Sequence, residues 1–302
     1  MTSFPALRIA LLGAGNIGSA FAFQLARVGH HNVTVVTRPN SLRFEQLQRD
    51  GGIVNIRGER AETALTNQFD QRIAYDLVVV TVLAHQVDVL IPVLKRSAAK
   101  CFLFMFNNFD PVRLRDQLGA ERCEFGMPFI QASLGQDGKL KASIGAGGQK
   151  TKLSDQRWVD LFNAAGLPAK FEPRMMLWLR CHAPLCVGFE SISVAGVRRG
   201  GGASWAHAMV IARGVKAGFA LIKSLGDPLY PAGKSWLNAS PNWLIAIMFW
   251  SLSRITSFRE LLAGGIAECR ALVDTMVAAA PQANPAVEVA AIQAMRPSEE
   301  SH

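Results

Sequence analysis

Arg8-Ile9-Ala10-Leu11-Leu12-Gly13-Ala14-Gly15-Asn16-Ile17-Gly18 is the stretch whose reading decides the fold. Residues 9–12 form a short apolar run that ends at glycines, as a buried strand does, and residues 17–28 then carry the spacing of a helix. A GxGxxG pattern alone is weak; between a strand and a helix it is in the context the motif requires. Gly13 permits the tight turn, Gly15 lets a pyrophosphate approach the backbone, and Gly18 lets the helix pack on the strand. The helix start also offers unpaired N–H groups and a favourable dipole to phosphate. Gly13, Gly15, Asn16, Ile17 and Gly18 are therefore candidate cofactor-binding residues.

Arg38 follows the second strand (residues 33–37) and stands 20 residues beyond Gly18. An acidic residue there would accept from the ribose 2′-hydroxyl of NAD, whereas arginine pairs with the 2′-phosphate of NADP. The expected cofactor is NADPH, with Arg38 as a binding residue and Ser41 and Arg43 as further contacts.

Working outward, strand-like runs recur at residues 77–82, 101–106, 123–129 and 142–145, with a helix near 153–165. Past Pro173 the alternation gives way to long apolar helical stretches at 209–225, 241–253 and 257–280. This predicts an α/β fold, an N-terminal Rossmann-type parallel sheet with an all-helical C-terminal domain. The expected division is 1–170 for NADP binding and 171–302 for a helical substrate and dimerisation domain, ending in a terminal helix and a frayed tail after residue 282.

Half of the 302 residues are hydrophobic and 18% are charged, the composition of a globular protein with a sizeable core. No run approaches the ~18 consecutive apolar residues that span a bilayer, so no membrane partner is expected. The five cysteines are an odd, scattered set without a CxxC pair, and no export signal is read. They are expected as free, mostly buried thiols in a cytoplasmic protein, with no metal. The net charge of +9 invites a nucleic-acid reading. Yet residues 1–170 hold 20 basic and 14 acidic side chains and 171–302 hold 12 and 9, so the excess is spread over both parts. No nucleic-acid motif accompanies it, and no nucleic-acid partner is expected.

These residues resemble the ketopantoate reductases, also called 2-dehydropantoate 2-reductases. The likeness runs from residues 8–20 and Gly29 through Val33-Thr34-Val35-Val36-Thr37-Arg38, residues 76–81 and Gln86-Val87. It continues with Phe106-Asn107-Asn108, Trp178-Leu179-Arg180 and, weakly, Arg259-Glu260-Leu261. The resemblance implies hydride transfer from NADPH to the ketone of a small-molecule carbonyl substrate. It assigns Asn107 beside the nicotinamide, in a catalytic and a cofactor-binding role, and Glu260 as an acid that holds substrate. Other positions depart from the family. Its lysine is Arg180 here, its two asparagines are Pro184 and Gly188, its serine falls on Met248, and a phosphate-reaching lysine falls on Leu83. The chain therefore resembles the family as a divergent member.

Guanidinium holds its proton too tightly to act as a general acid, but it can stabilise an alkoxide or grip a carboxylate. Arg180, Asn107 and Glu260 are the catalytic candidates, on a helix expected to kink near Arg180–Pro184 and open the substrate cleft. His182 lies about 200° round that helix from Arg180 and reads as structural. Glu190, in an apolar stretch, reads as half of an ion pair with Arg180 or Arg198. Two functions stay open: an NADPH-dependent ketoreductase acting on something other than ketopantoate, and a catalytically impaired NADPH-binding protein with a sensing or scaffold role. A homodimer is left open.

Overall fold

The computed structural model describes residues 5–297, and the chain divides into two compact units. The first takes the residues up to Phe106 together with Val112–Met175; the second takes Asn107–Pro111 and the chain from Met176 onward.

In chain order the first unit runs β1 (Arg8–Leu12), α1 (Asn16–Arg27), β2 (Asn32–Val36), α2 (Leu42–Asp50), β3 (Gly52–Val54), β4 (Arg60–Glu62), β5 (Ala64–Thr66), β6 (Leu77–Val80), α3 (Ile91–Arg96) and β7 (Phe102–Met105). It resumes with α4 (Pro111–Leu118), β8 (Cys123–Met127), β9 (Ile130–Leu134), β10 (Leu140–Ile144), β11 (Thr151–Leu153), α5 (Gln156–Ala164) and β12 (Ala169–Phe171). Eight strands form one sheet in the order β12-β11-β8-β7-β6-β1-β2-β5. β1 pairs in parallel with β2 on one side and β6 on the other, so the strand order reverses there. That reversal leaves a crevice outside the carboxyl ends of β1 and β6, where ligands of open α/β sheets bind. β6 and β7 read LVVV and FLFM and are buried at every residue, as strands covered on both faces must be.

The sheet is mostly parallel, with one departure. β11 runs antiparallel to β8, and the strand expected at 142–145 leaves the sheet altogether to pair with β9 as a hairpin. Only one face of that hairpin carries apolar side chains inward, so it lies as a cover over α1. The β3–β4 pair covers another side of α1. Helix α1 is accordingly buried nearly all round, including Gly18, Ser19, Ala20, Phe21, Ala22, Phe23 and Leu25.

The second unit is helical: α6 (Met175–Arg198), α7 (Trp205–Ser224), α8 (Ala232–Ala239), α9 (Asn242–Leu252), α10 (Thr256–Leu262), α11 (Ile266–Ala279) and α12 (Val289–Gln293). The stretch read as one helix at 257–280 is two, separated by a turn at Ala263–Gly265. One helix, α7, is long and apolar enough to cross a membrane by length and composition, and 56% of that stretch is buried within the protein.

Helix α6 is continuous over all 24 residues, through Pro184. Pro184 and Gly188 are both packed from behind. Pro184 sits on Gly218 of α7, where a Cβ would lie 2.8 Å from the proline ring, and Gly188 sits against the Phe249 ring of α9 and Val215 of α7. Positions 184 and 188 therefore face the helical core. Adding a methyl at Gly188 would place it 2.7 Å from Phe249, a side chain with no exposure left to yield. Helix propensity favours alanine by about 1 kcal/mol, but overpacking costs about 1–3 kcal/mol. Gly188→Ala is expected to lower stability on balance, by roughly 1 kcal/mol in chemical denaturation; an unchanged or raised midpoint would mean the α6–α9 contact has slack.

Candidate functional site

The glycine loop is built from backbone contacts that only these residues permit. Gly13 has φ +101°, donates its N–H to the Val36 carbonyl at 3.2 Å, and accepts from the Thr81 hydroxyl at 2.7 Å. A Cβ on Gly18 would run into the Gly13 carbonyl oxygen and the Thr81 hydroxyl. Gly15 is the opposite case. It caps α1 with no side chain, and nothing lies within 4 Å of where its Cβ would be. At the end of β2 the Thr37 hydroxyl is buried without a partner, next to the exposed Arg38. Open backbone, a helix N-terminus without a side-chain cap and an orphaned buried hydroxyl at the ends of adjacent strands fit a dinucleotide.

Three expected ligand contacts are spent on the protein instead. The Asn16 carboxamide oxygen accepts from the Leu134 N–H at 3.0 Å. Ser41 caps α2, accepting from the Phe44 N–H and donating to the Arg38 carbonyl at 2.9 Å. Arg43 turns into the loop and donates to the Ala14 carbonyl at 3.2 Å, the Ser19 hydroxyl at 3.0 Å and the Gly138 carbonyl at 2.8 Å. Ile17 packs against the core of its unit.

In the helical unit Trp178, His182, Cys186 and Glu190 lie on a four-residue stride along one side of α6. His182 stacks on Trp178 at 4.3 Å between ring centroids. The Cys186 thiol donates to the Asn107 carboxamide oxygen at 3.0 Å, and the Asn107 amide donates to Glu268 Oε1 at 2.9 Å. Lys234 of α8 is buried, donates to the Trp178 carbonyl at 3.2 Å and lies 4.6 Å from the centre of its ring.

Arg180 points away from bulk solvent, its side chain 19% exposed. Its Nε donates to the Phe109 carbonyl at 3.1 Å, and its terminal nitrogens reach Asp227 at 2.5 Å and Asp110 at 3.5 Å. With Asn107 bound to Cys186 and Glu268, both ends of the Asn107–Pro111 segment are tied to the helical unit. Glu190 overturns its expected ion pair: it is 6% exposed, one carboxyl oxygen has no partner, and Arg180 is taken by other acids. Burial first, and the neighbouring Glu268 second, push its pKa well above the usual carboxylate range. Burial likewise pushes the Cys186 thiol up, so it stays protonated.

Glu260 lies exposed on α10, and the acid brought to Asn107 is Glu268, eight residues on. Sequence reasoning missed Glu268, Asp227, Lys234 and Cys186 as a set. For Cys186 the signal existed in the 178-182-186-190 stride; Asp227, beside a glycine turn, left none.

The family described as Ketopantoate reductase PanE/ApbA matches residues 9–157. No curated protein matches the chain. Among solved structures it is similar to a PanE/ApbA family ketopantoate reductase from Ralstonia eutropha JMP134, at TM-score 0.70 and 17% identity over 96% of each chain. It is also similar to 2-dehydropantoate 2-reductase from Porphyromonas gingivalis W83, at 0.67 and 13% over 96% of this chain and 98% of that one. D-mandelate dehydrogenase with NADH and anilino(oxo)acetate is a further neighbour, at 0.67 and 15% over 96% of each.

A carboxyl with a raised folded pKa binds its proton more tightly folded than unfolded. From the unfolded value near 4.5 upward, Glu190 therefore costs the native state stability as pH rises, until the folded pKa is passed. The slope is at most about 1.4 kcal/mol per pH unit. Urea unfolding at pH 5 to 8 is expected to show Glu190→Gln gaining on the wild type with each step. A difference independent of pH would mean Glu190 ionises without penalty.

Proposed function

We propose that the chain, which matches the ketopantoate reductase family over residues 9–157, is an oxidoreductase that uses NADPH to reduce the ketone of a keto acid or a related carbonyl compound. The observation that carries the reading is the loop: Gly18 closed onto Gly13, and Gly15 open above an α1 start without a side-chain cap. Bound NADPH would supply a hydride to the carbonyl carbon. The residues proposed to hold it are Gly13, Gly15, Gly18 and the backbone of Asn16 and Ile17 at the pyrophosphate, with Arg38 at the 2′-phosphate. Asn107 is proposed to face the reacting end.

Arg180 is proposed to act on the carbonyl or carboxylate oxygen through N–H groups its three contacts leave over, with Glu260 as a second substrate contact. The guanidinium cannot serve as the proton donor, but it can hold an alkoxide by charge and geometry. One observation favours a second reading, an NADPH-binding protein with little catalysis: Asp227 and Asp110 already balance Arg180.

Two experiments test this. Fluorescence titration is expected to give NADPH at least about tenfold tighter binding than NADH, a preference lost in Arg38→Ala, because a charge-assisted pair to the 2′-phosphate is removed. Arg43→Ala, which loosens the loop from behind, should weaken both cofactors alike. Equal affinities in the wild type would sink the NADP assignment. Single-turnover NADPH oxidation against a panel of α-keto acids is expected to find a substrate other than ketopantoate. Arg180→Ala should then lower kcat/KM by about 10²–10³, the usual loss for one oxyanion-stabilising donor. If no carbonyl is reduced while NADPH binds well, the second reading replaces the first.

A further inference from the structure

Asn107 is held at both ends of its carboxamide by groups of opposite hydrogen-bonding character, from two different helices. We propose that Cys186 and Glu268 are positioning residues that fix the orientation of this amide, so that its second Nδ2 hydrogen is the donor offered to an oxygen of the substrate. The proposal rests on the reductase reading for the word substrate, and on geometry alone for the orientation.

A carboxamide has an accepting and a donating end of nearly the same shape, and packing hardly tells them apart. Polar neighbours do. The thiol of Cys186, kept as S–H in its buried position, can usefully only donate, and it meets Oδ1 at 3.0 Å. The Glu268 carboxylate can only accept, and it meets Nδ2 at 2.9 Å. Turning the amide over would set S–H against NH2 and carboxylate against carbonyl, losing both bonds and adding repulsion. One Nδ2 hydrogen is then left without a partner among the described residues.

Glu190 completes the arrangement. It sits one turn beyond Cys186 on the same side of α6, seated against Gly265, where a Cβ would come within 2.9 Å of its carboxyl carbon. The ionisable groups that influence Glu190 and Cys186 are Glu268 and Cys269 from α11, and Lys234 from α8 acts on Cys186. Two neighbouring carboxyls cannot both ionise cheaply in such a place. Burial and the neighbouring Glu268 both favour the protonated form of Glu190, while Glu268 accepts from the Asn107 amide.

The test reads the amide directly in the resting protein. With asparagine side chains labelled with ¹⁵N, the Asn107 signal is assigned by its loss in Asn107→Ser. One of its two Nδ2 protons is expected to exchange about tenfold more slowly than the other, as a bond to a carboxylate implies. Glu268→Gln, which still offers an oxygen, should largely keep that protection, and Glu268→Ala should abolish it. Cys186→Ala should blur the two protons together, and Cys186→Ser, which restores a donor, should separate them again. In turnover Cys186→Ala should lower kcat about tenfold with NADPH affinity unchanged, and Cys186→Ser should recover it. Thermal melts of the Cys186 and Glu268 variants separate this from loss of folding, and the Glu268 pair stands alone if a Cys186 variant does not fold. Indistinguishable alanine and serine variants, or equal exchange of both protons in the wild type, would overturn the proposal. A clamped amide in a protein that reduces no carbonyl would uphold the clamp and overturn the reductase reading instead.

Discussion

No side chain fits between the start of α1 and the carbonyl of Gly13, and the N-terminal unit is arranged around that exclusion. It lets α1 lie directly on the end of β1, which brings the helix N-terminus to the place where the strand order reverses. The exclusion alone would leave a loose loop. Thr81 at the end of β6 ties the Gly13 carbonyl, and Arg43 from α2 ties Ala14 and Ser19. The β9–β10 hairpin reaches in through Leu134 and Gly138. Of the loop glycines 13, 15 and 18, Gly15 alone is untouched at its Cβ position, so rigidity surrounds the one point of the loop with open backbone.

Charge compensation does the corresponding work in the helical unit. A guanidinium beside apolar helices is tolerable when acids and carbonyls meet it, and Arg180 has Asp227, Asp110 and the Phe109 carbonyl. Those contacts also pin the Asn107–Pro111 segment, and the Asn107 amide is held by Cys186 of α6 and Glu268 of α11. Lys234 shows the same economy, its amine lodged between a backbone carbonyl and an aromatic face.

The strand–turn–helix setting of the glycine loop, the place of Arg38 just past β2 and the switch to helices past Pro173 were legible because each depends on local chemistry: a turn, the end of a strand, a change of period. The departures were set by partners far away in sequence. The hairpin at Leu140–Ile144 has strand alternation whether it joins the sheet or covers α1, and only the presence of α1 decides. Glu190 reads as half of an ion pair until the acids nearest Arg180 prove to be Asp110 and Asp227. Asn16 and Ser41 were read as cofactor contacts, while in the structure the Asn16 carboxamide oxygen accepts from Leu134 and the Ser41 hydroxyl caps α2.

Pro184 and Gly188 carry the deepest lesson about helix α6. Counted from the family pattern, they look like lost asparagines and suggest a decayed site. In the fold they are the residues that let α7 and α9 come close, with Gly218 under the proline and the Phe249 ring under the glycine. An asparagine at either position would bury an amide in an apolar contact, at a cost of a few kcal/mol without a partner. Arg180 remains polar on that same strip, while His182, Cys186 and Glu190 lie on the strip two residues away, about 200° round the helix, and there Cys186 meets Asn107. Changed polar residues on one strip are therefore accounted for by tighter packing behind it, and they carry no weight as signs of lost chemistry until the strip that does meet Asn107 has been tested.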